Sequence, residues 1–73
     1  MSQKTFWKIQ YFGMCINAFA QKFRISPQLA HNYLQKFQGL AFLQENYEIE
    51  HTLALEDTLN SLRIICARNG GTL

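Results

Sequence analysis

The first third of the chain carries apolar residues at alternating spacings of three and four, which is the period of an α-helix. One continuous apolar stripe consists of Ile9, Phe12, Ile16, Phe19 and Phe23. This pattern predicts a first helix over residues 3–23. Because the stripe runs along most of that helix, we expect it to supply much of a hydrophobic core.

A second apolar patch lies on roughly the opposite side of the same predicted helix and comprises Trp7, Tyr11, Met14 and Ala18. A helix that is apolar on two sides is usually buried between neighbours or shared with a partner. Two alternatives stay open here. Either the last helix of the chain folds back over this patch, or the patch is exposed and another molecule covers it.

The second helix has distinct start and stop signals. Ser26 followed by Pro27 is the preferred combination of N-cap and first helical residue. Together they predict a helix over residues 27–38, and Gly39 is predicted to end it in the left-handed conformation. The apolar arc of this helix comprises Leu29, Ala30, Tyr33, Leu34 and Phe37.

The remaining elements are shorter or less regular. A short helical turn is predicted over residues 40–46. Residues 47–50 alternate between apolar and acidic side chains, which predicts an extended connector. Thr52 is the predicted cap of a last helix over residues 53–69, and residues 70–73 form a frayed tail.

These elements predict an all-α fold, in which three main helices and a short helical turn form a compact bundle in one domain over residues 1–73. Hydrophobic residues make up 48% of the chain and charged residues 16%, so the composition is too apolar for a disordered protein. The predicted core consists of Phe12, Ile16, Phe19, Leu29, Tyr33, Phe37, Leu43, Leu55, Leu59 and Leu62.

The charges are separated along the chain, although the net charge is only +2. Residues 1–44 contain five basic residues and no acidic one, and residues 45–57 contain all five acidic residues. Such a separation can steer a charged partner, while solvated helix faces are the simpler interpretation.

Candidate chemistry is sparse. Cys15, His31, His51 and Cys66 offer ligand atoms, but no pair of them has the close spacing of a structural zinc site. Both cysteines lie on or beside apolar stripes, where a thiol behaves as a small inert side chain. We therefore expect no metal, no cofactor, no catalytic residues and no enzymatic activity.

The predicted location is the cytoplasm. Two cysteines are too few for a disulfide framework, and neither a signal peptide nor an apolar run long enough for a membrane is evident.

DNA binding is the alternative functional hypothesis. Two helices joined near Ser26 and followed by a third have the order of a helix-turn-helix. The polar face of the second helix carries Gln28, His31, Asn32, Gln35 and Lys36. These side chains can contact bases, but few positive charges are available for the phosphates that dominate such affinities.

A family resemblance extends from Phe12 to Arg68. Its residues are Cys15-Ile16, Ile25-Ser26, Phe37-Gln38-Gly39-Leu40, Phe42-Leu43, Tyr47-Glu48, His51-Thr52, Glu56-Asp57, Leu59 and Leu62. In these motifs the chain resembles a small family of bacterial proteins, the domain of unknown function 3791. The aromatic–acid pair followed by His-Thr is the most specific part. That family usually has Asp at the position of Glu48 and an apolar residue at the position of Glu50.

Members of that family are often encoded beside small proteins similar to ADP-ribosyltransferases, in arrangements like toxin–antitoxin operons. The resemblance therefore implies an accessory or antitoxin-like protein that binds a protein partner. With the apolar patch, it suggests a non-enzymatic protein-interaction module, which binds such a toxin or a second copy of itself and does not bind membranes.

The predicted partner-binding residues are Trp7, Tyr11, Met14, Tyr47, His51 and Ile64. A structural interpretation of the His-Thr pair stays open beside this. In it, Thr52 caps the last helix, and His51 forms a hydrogen bond or pairs with Glu56.

Overall fold

The computed structural model describes residues 2–73, and this part of the chain contains five helices and no strand. They are α1 (Gln3–Phe23), α2 (Pro27–Lys36), α3 (Gly39–Glu45), α4 (Tyr47–Glu50) and α5 (Leu55–Arg68). The prediction of an all-α bundle is confirmed. α1 packs against α2 and α5, α3 bridges α2 and α5, and α4 adjoins α3. None of these helices is long and apolar enough to cross a membrane.

The core lies where the C-terminal half of α1 meets α2, α3 and α5. Its buried members are Cys15, Phe19, Ala20, Ala30, Leu34, Leu43, Leu59, Leu62 and Cys66. Four of the predicted core residues are among them, and another four (Phe12, Ile16, Tyr33 and Phe37) are partly buried against them.

The core prediction is wrong for two leucines. Leu29 is 57% exposed, because it lies at the outer edge of α2 beside a shallow surface groove. Leu55 is exposed because it is the first residue of α5. Ile9 is also exposed, since the buried residues of α1 all lie in its C-terminal half.

The turn between α1 and α2 forms as the sequence predicts. Arg24 ends α1 in the left-handed conformation, with φ 56° and ψ 44°. The Ser26 hydroxyl accepts a hydrogen bond from the backbone N–H of Leu29 at 3.1 Å, and Pro27 is the first residue of α2. This confirms the predicted N-cap.

The predicted role of Gly39 is wrong. Gln38 adopts the left-handed conformation instead, with φ 72°, and Gly39 is the buried first residue of α3. A Cβ atom on Gly39 would lie 2.8 Å from Leu34 Cδ2 and 3.2 Å from Cys66 Sγ. A side chain at this position would displace the buried Leu34 and crowd Cys66, so the small size of glycine matters here and its conformational freedom is not used.

The prediction of an extended connector over residues 47–50 is also wrong, because these residues form α4. The N–H of Glu50 donates to the Asn46 carbonyl at 2.8 Å, and the N–H of His51 donates to the Tyr47 carbonyl at 3.0 Å. Tyr47 and Glu50 are buried three residues apart, whereas Glu48 and Ile49 are exposed. Over four residues, a helical pattern of this kind is easily mistaken for strand alternation.

The start of the last helix lies two residues later than predicted. α5 begins at Leu55, and its N-cap, Ala54, makes no side-chain hydrogen bond. The Thr52 hydroxyl donates instead to the Ile49 carbonyl at 2.7 Å, so this side chain closes α4 and does not cap α5. Glu56 and Asp57 do lie in the first turn of α5, where the helix dipole favours acidic residues.

The C-terminal residues fold back along α2, which differs from the predicted frayed tail. The N–H of Gly71 donates to the Cys66 carbonyl at 2.8 Å. The N–H of Leu73 donates to the Tyr33 hydroxyl at 3.1 Å. These hydrogen bonds place the tail across the edge of the core.

Candidate partner-binding site

A concave groove of about 600 Å³ lies between the N-terminal half of α1 and helix α4. It is lined by Trp7, Gln10, Tyr11, Met14, Tyr47 and His51. Five of these are predicted partner-binding residues, and the fold brings them together from two distant parts of the sequence. Gln10 was not predicted, although its position one helical turn from Trp7 and from Met14 is a signal for it.

The α1 wall of the groove is only partly covered by the rest of the chain. Trp7 is 54% exposed and Met14 is 47% exposed. Tyr11 and Ala18, from the same sequence patch, are half-buried against the core. The last helix therefore covers one edge of this patch and leaves Trp7 and Met14 open to solvent.

Three aromatic rings form the corner of the groove. Tyr11 meets Tyr47 edge to face, with 5.5 Å between ring centroids and an interplanar angle of 78°. Tyr47 stacks on His51, with 4.5 Å between ring centroids and an angle of 9°. Because Tyr47 and His51 are four residues apart at the end of α4, their rings lie on the same face of the chain.

His51 is held by its own helix. Its Nδ1 atom lies 2.6 Å from the Tyr47 carbonyl oxygen. The predicted pair with Glu56 does not form, because Glu56 instead makes an ion pair with Lys22 of α1. Of the structural interpretation, the hydrogen bond of His51 is observed, with the Tyr47 carbonyl as its partner, whereas the pair with Glu56 is not.

The Tyr11 hydroxyl connects three helices. It lies 3.4 Å from the Thr58 hydroxyl of α5, which in turn is 3.5 Å from the Glu50 carbonyl oxygen of α4. Burial raises the pKa of Tyr11 to about 12, and the contact with Thr58 opposes this shift. The Tyr11 hydroxyl is therefore protonated at neutral pH, and its position is determined by packing.

The rim of the groove near the start of α1 carries compensated charges. Lys4 Nζ lies 2.8 Å from Glu48 Oε1, and this hydrogen bond raises the pKa of Lys4 and lowers the pKa of Glu48. Lys8 Nζ lies 5.3 Å from the centre of the Tyr47 ring, within the range of a cation–π contact. The rim thus carries one neutral ion pair and the positive charge of Lys8.

Glu50 is a feature that sequence reasoning missed. Its side chain is only 6% exposed, and its Oε1 atom has no hydrogen-bond partner among the described residues. It belongs to the buried face of α4, three residues after Tyr47. The helical spacing from Tyr47 would have indicated this burial if the segment had been recognised as a helix.

Ile64 lies outside the groove. It is an exposed residue on α5, and the structure does not bring it to the other predicted site residues. The polar side chains of α2 that could contact DNA lie along the outer side of this helix. Among them, Gln28 Nε2 donates to Asn32 Oδ1 at 3.3 Å.

The two thiols and the histidines do not assemble a metal site in the part of the chain that the structure describes. Cys15 and Cys66 are buried and unpaired, and burial raises the pKa of both thiols. Both sulfur atoms are therefore protonated at neutral pH and serve as core packing.

Comparison with known proteins identifies a family. A family model described as protein of unknown function (DUF3791) matches residues 10–69. Among curated proteins and among solved structures, none matches this chain. The matched segment contains five of the six groove residues, and Trp7 precedes it. Since this match covers well over half of the sequence and agrees with the motif resemblance, the chain belongs to the DUF3791 family.

Proposed function

We propose that this chain is a non-enzymatic protein-interaction module that binds a protein partner in the groove between α1 and α4. The observation that carries this proposal is the juxtaposition of half-exposed Trp7 and Met14 with the fixed rings of Tyr11 and Tyr47. Tryptophan and tyrosine are the residues most enriched among binding hot spots, and an aromatic pocket next to them accepts an apolar side chain of a partner.

The groove is also rigid on one side. Tyr11 is held by Tyr47 and Thr58, and His51 is held by the Tyr47 ring and carbonyl. A wall that is ordered before binding lowers the entropy cost of association. These contacts also occupy the Tyr11 hydroxyl and the His51 Nδ1 atom. Polar atoms that are already occupied suit a binding surface better than a catalytic site.

The partner class comes from the family resemblance. In this proposal the partner is a toxin similar to ADP-ribosyltransferases, and the chain acts as an accessory or antitoxin-like protein in the cytoplasm. The apolar lining predicts that the complex depends mainly on burial of apolar surface, so that salt affects it weakly.

The test is capture of partners by the tagged full-length chain, expressed from its native locus and analysed by mass spectrometry. Trp7→Ala and His51→Ala should each reduce the recovered partner at least tenfold, because each removes one side of the groove. Ile64→Ala is the matched control, since it removes an exposed apolar side chain outside the groove. Thermal melts of the three variants verify that they fold.

Two outcomes would overturn the proposal. One is recovery that is unaffected by Trp7→Ala and by His51→Ala. The other is capture of DNA instead of a protein, with an affinity of the chain for DNA that falls steeply between about 50 and 200 mM salt. In that case the surface of α2 with Gln28, Asn32 and Lys36 is the site to mutate next.

A further inference from the structure

A second groove, of about 320 Å³, lies along the outer side of α2. We refer to it as the α2 groove, and to residues 70–73 as the tail. Leu29, Tyr33, Phe37 and Leu73 contribute apolar surface to this groove, and Asn32 and Lys36 contribute polar groups. None of these residues lines the groove between α1 and α4, so an inference about the α2 groove goes beyond the proposed function.

The tail begins with a helix end of the Schellman type. The N–H of Gly71 donates to the Cys66 carbonyl at 2.8 Å, and the N–H of Gly70 donates to the Ala67 carbonyl at 3.2 Å. Gly70 has a φ of 102°, and this motif places its positive φ at that position, where glycine is favoured. Gly70 alone therefore suffices to end α5, and the helix end gives no reason for a second glycine.

The second glycine, Gly71, is explained by Tyr33. A Cβ atom on Gly71 would lie 2.8 Å from Tyr33 Cζ and 2.9 Å from the Cys66 carbonyl oxygen. The oxygen belongs to the backbone of α5, and the Tyr33 ring is packed against Phe19 and Phe37, with centroid distances of 5.8 and 4.9 Å. Neither neighbour can easily give way. The small size of Gly71 therefore lets the tail pass directly over Tyr33.

The α2 groove offers the groups that recognise a peptide unit with an apolar side chain. The Tyr33 hydroxyl accepts the N–H of Leu73 at 3.1 Å, and Leu73 also lines the groove. Asn32 and Lys36 lie four residues apart on the same face of α2 and supply N–H donors for a carbonyl oxygen. Lys36 Nζ lies 5.4 Å from the centre of the Phe37 ring. Apolar surface, one acceptor and several donors thus border the same groove.

The tail fills this groove only in part and is weakly held. Leu29 is 57% exposed and Leu73 is 37% exposed, so apolar surface of both residues remains open. Among the residues that the structure describes, one hydrogen bond holds the tail beyond Gly71, and it joins the Leu73 N–H to Tyr33. A single hydrogen bond between neutral groups contributes little net stability. The tail can therefore leave the groove while the helices stay folded.

We propose that the α2 groove binds a short, non-helical peptide segment with a leucine-like side chain, and that the tail occupies this site until a partner segment displaces it. The tail itself defines the ligand, because Leu73 already supplies both the peptide N–H and the apolar side chain. A partner segment of the same chemistry uses the same Tyr33 hydroxyl, so the two compete. A segment tethered this closely has an effective concentration of about millimolar order, so the tail covers the groove when no partner is present.

The ¹⁵N heteronuclear NOE of the full-length chain tests whether the tail is held and can be released. The Leu73 amide should be nearly as ordered as the amides of α5. Gly71→Ala should make Leu73 mobile and leave α5 ordered, because the added Cβ atom overlaps with Tyr33 and with the Cys66 carbonyl oxygen. Thr72→Ala is the matched control, since Thr72 is an exposed residue of the same tail, and it should leave Leu73 ordered. A mobile Leu73 in the unmodified chain, or an ordered one in Gly71→Ala, would overturn the proposal.

A synthetic peptide with the sequence of the tail, acetyl-Gly-Gly-Thr-Leu-amide, tests binding of a segment from outside the chain. In Leu73→Ser, which lacks the competing side chain, it should shift the amide signals of Tyr33 and Phe37 with a dissociation constant of about millimolar order. Gly71→Ala should behave in the same way, because its tail is displaced. The unmodified chain should bind the peptide about fivefold more weakly or less, since its own tail competes. A control peptide with Ser in place of Leu should bind to neither variant.

Three results of this titration contradict the proposal: equal affinity for the two peptides, no binding to either variant, or equally tight binding to the unmodified chain. Trp7→Ala separates the two grooves, since Trp7 lines only the groove between α1 and α4. Added to Leu73→Ser, it should leave the affinity for the peptide unchanged, although it reduces capture of the protein partner. Loss of peptide binding in this double variant would place the peptide in the other groove and overturn its assignment to α2.

Discussion

The side chain of His51 contacts both the ring and the backbone of Tyr47. The two rings are parallel, with 4.5 Å between centroids, and His51 Nδ1 lies 2.6 Å from the Tyr47 carbonyl oxygen. That carbonyl also accepts the N–H of His51. The imidazole therefore closes the last turn of α4 and orients one wall of the groove at the same time.

The first prediction concerns the tautomer of His51. Because a carbonyl oxygen only accepts hydrogen bonds, Nδ1 must carry a proton to make this contact. We expect the neutral imidazole to be the Nδ1–H tautomer, which ¹⁵N chemical shifts of the ring report directly. A spectrum of the Nε2–H tautomer in the folded protein would contradict the geometry of α4.

The second prediction compares two glycines. Gly39→Ala should destabilise the fold by about 1–3 kcal/mol, because its Cβ overlaps with Leu34 Cδ2 and crowds Cys66 in a filled core. Gly13→Ala should stabilise the monomer by about 0.5–1 kcal/mol, because alanine favours the helix and meets no neighbour. Urea denaturation at low micromolar concentration measures both. An equal effect of the two substitutions would contradict the packing around Gly39.

The third prediction concerns the buried carboxyl group of Glu50. A buried polar atom without a partner, such as Glu50 Oε1, lowers stability, and apolar replacement at such sites is often favourable. Glu50→Leu should raise the free energy of unfolding at neutral pH by about 1–3 kcal/mol. Glu48→Leu is the control, because Glu48 is exposed and its ion pair with Lys4 contributes little. A destabilised Glu50→Leu variant would indicate that this carboxyl group has a favourable contact.

The fourth prediction concerns alkaline stability. Tyr11 has a pKa of about 12 in the folded chain and the ordinary value near 10 when unfolded. Between these values the unfolded chain loses the proton first, so the contribution of Tyr11 is fully present below about pH 10 and falls as pH rises toward 12. The raised pKa values of Cys15 and Cys66 act in the same direction from a lower pH.

Urea denaturation from pH 8 to pH 11 measures this dependence. Tyr11→Phe should flatten the part of the slope above about pH 10, because it removes the hydroxyl whose pKa is raised in the folded chain. An identical slope in the unmodified chain and in Tyr11→Phe would show that the Tyr11 hydroxyl is not shielded as the structure indicates.

Local signals in the sequence were sufficient for α1, for the turn that follows it and for the start of α2. The apolar stripe from Phe12 to Phe23 has a helical period over several turns, and Ser26 with Pro27 determines where α2 starts through contacts within four residues. These features depend on backbone geometry and on neighbours in sequence, which is why they can be predicted without knowledge of the fold. The family motifs likewise depend on residue identity alone.

The corrections for Gly39 and for residues 47–50 lie where tertiary contacts override a local preference. Gly39 has the residue type of a helix end, yet the close approach of Leu34 and Cys66 determines its role. Tyr47 and Glu50 form a helical turn because packing against α1 and α5 buries both of them, and four residues carry too short a pattern to show this. Thr52 has the residue type of an N-cap, but its hydroxyl donates to the Ile49 carbonyl three residues earlier, so here one local contact replaces another.

The candidate site also depends partly on local sequence signals and partly on tertiary contacts. Helical spacing places Trp7, Gln10 and Met14 on one face of α1, and this much is a property of the sequence. Tyr47 and His51 form the opposite wall of the groove, and Ile64 does not. This depends on how α4 packs against α1, over a separation of about forty residues that no local pattern reports. Local periodicity therefore determines which face of each helix is apolar, and only the packing of the helices decides which of those faces meet and which remain open.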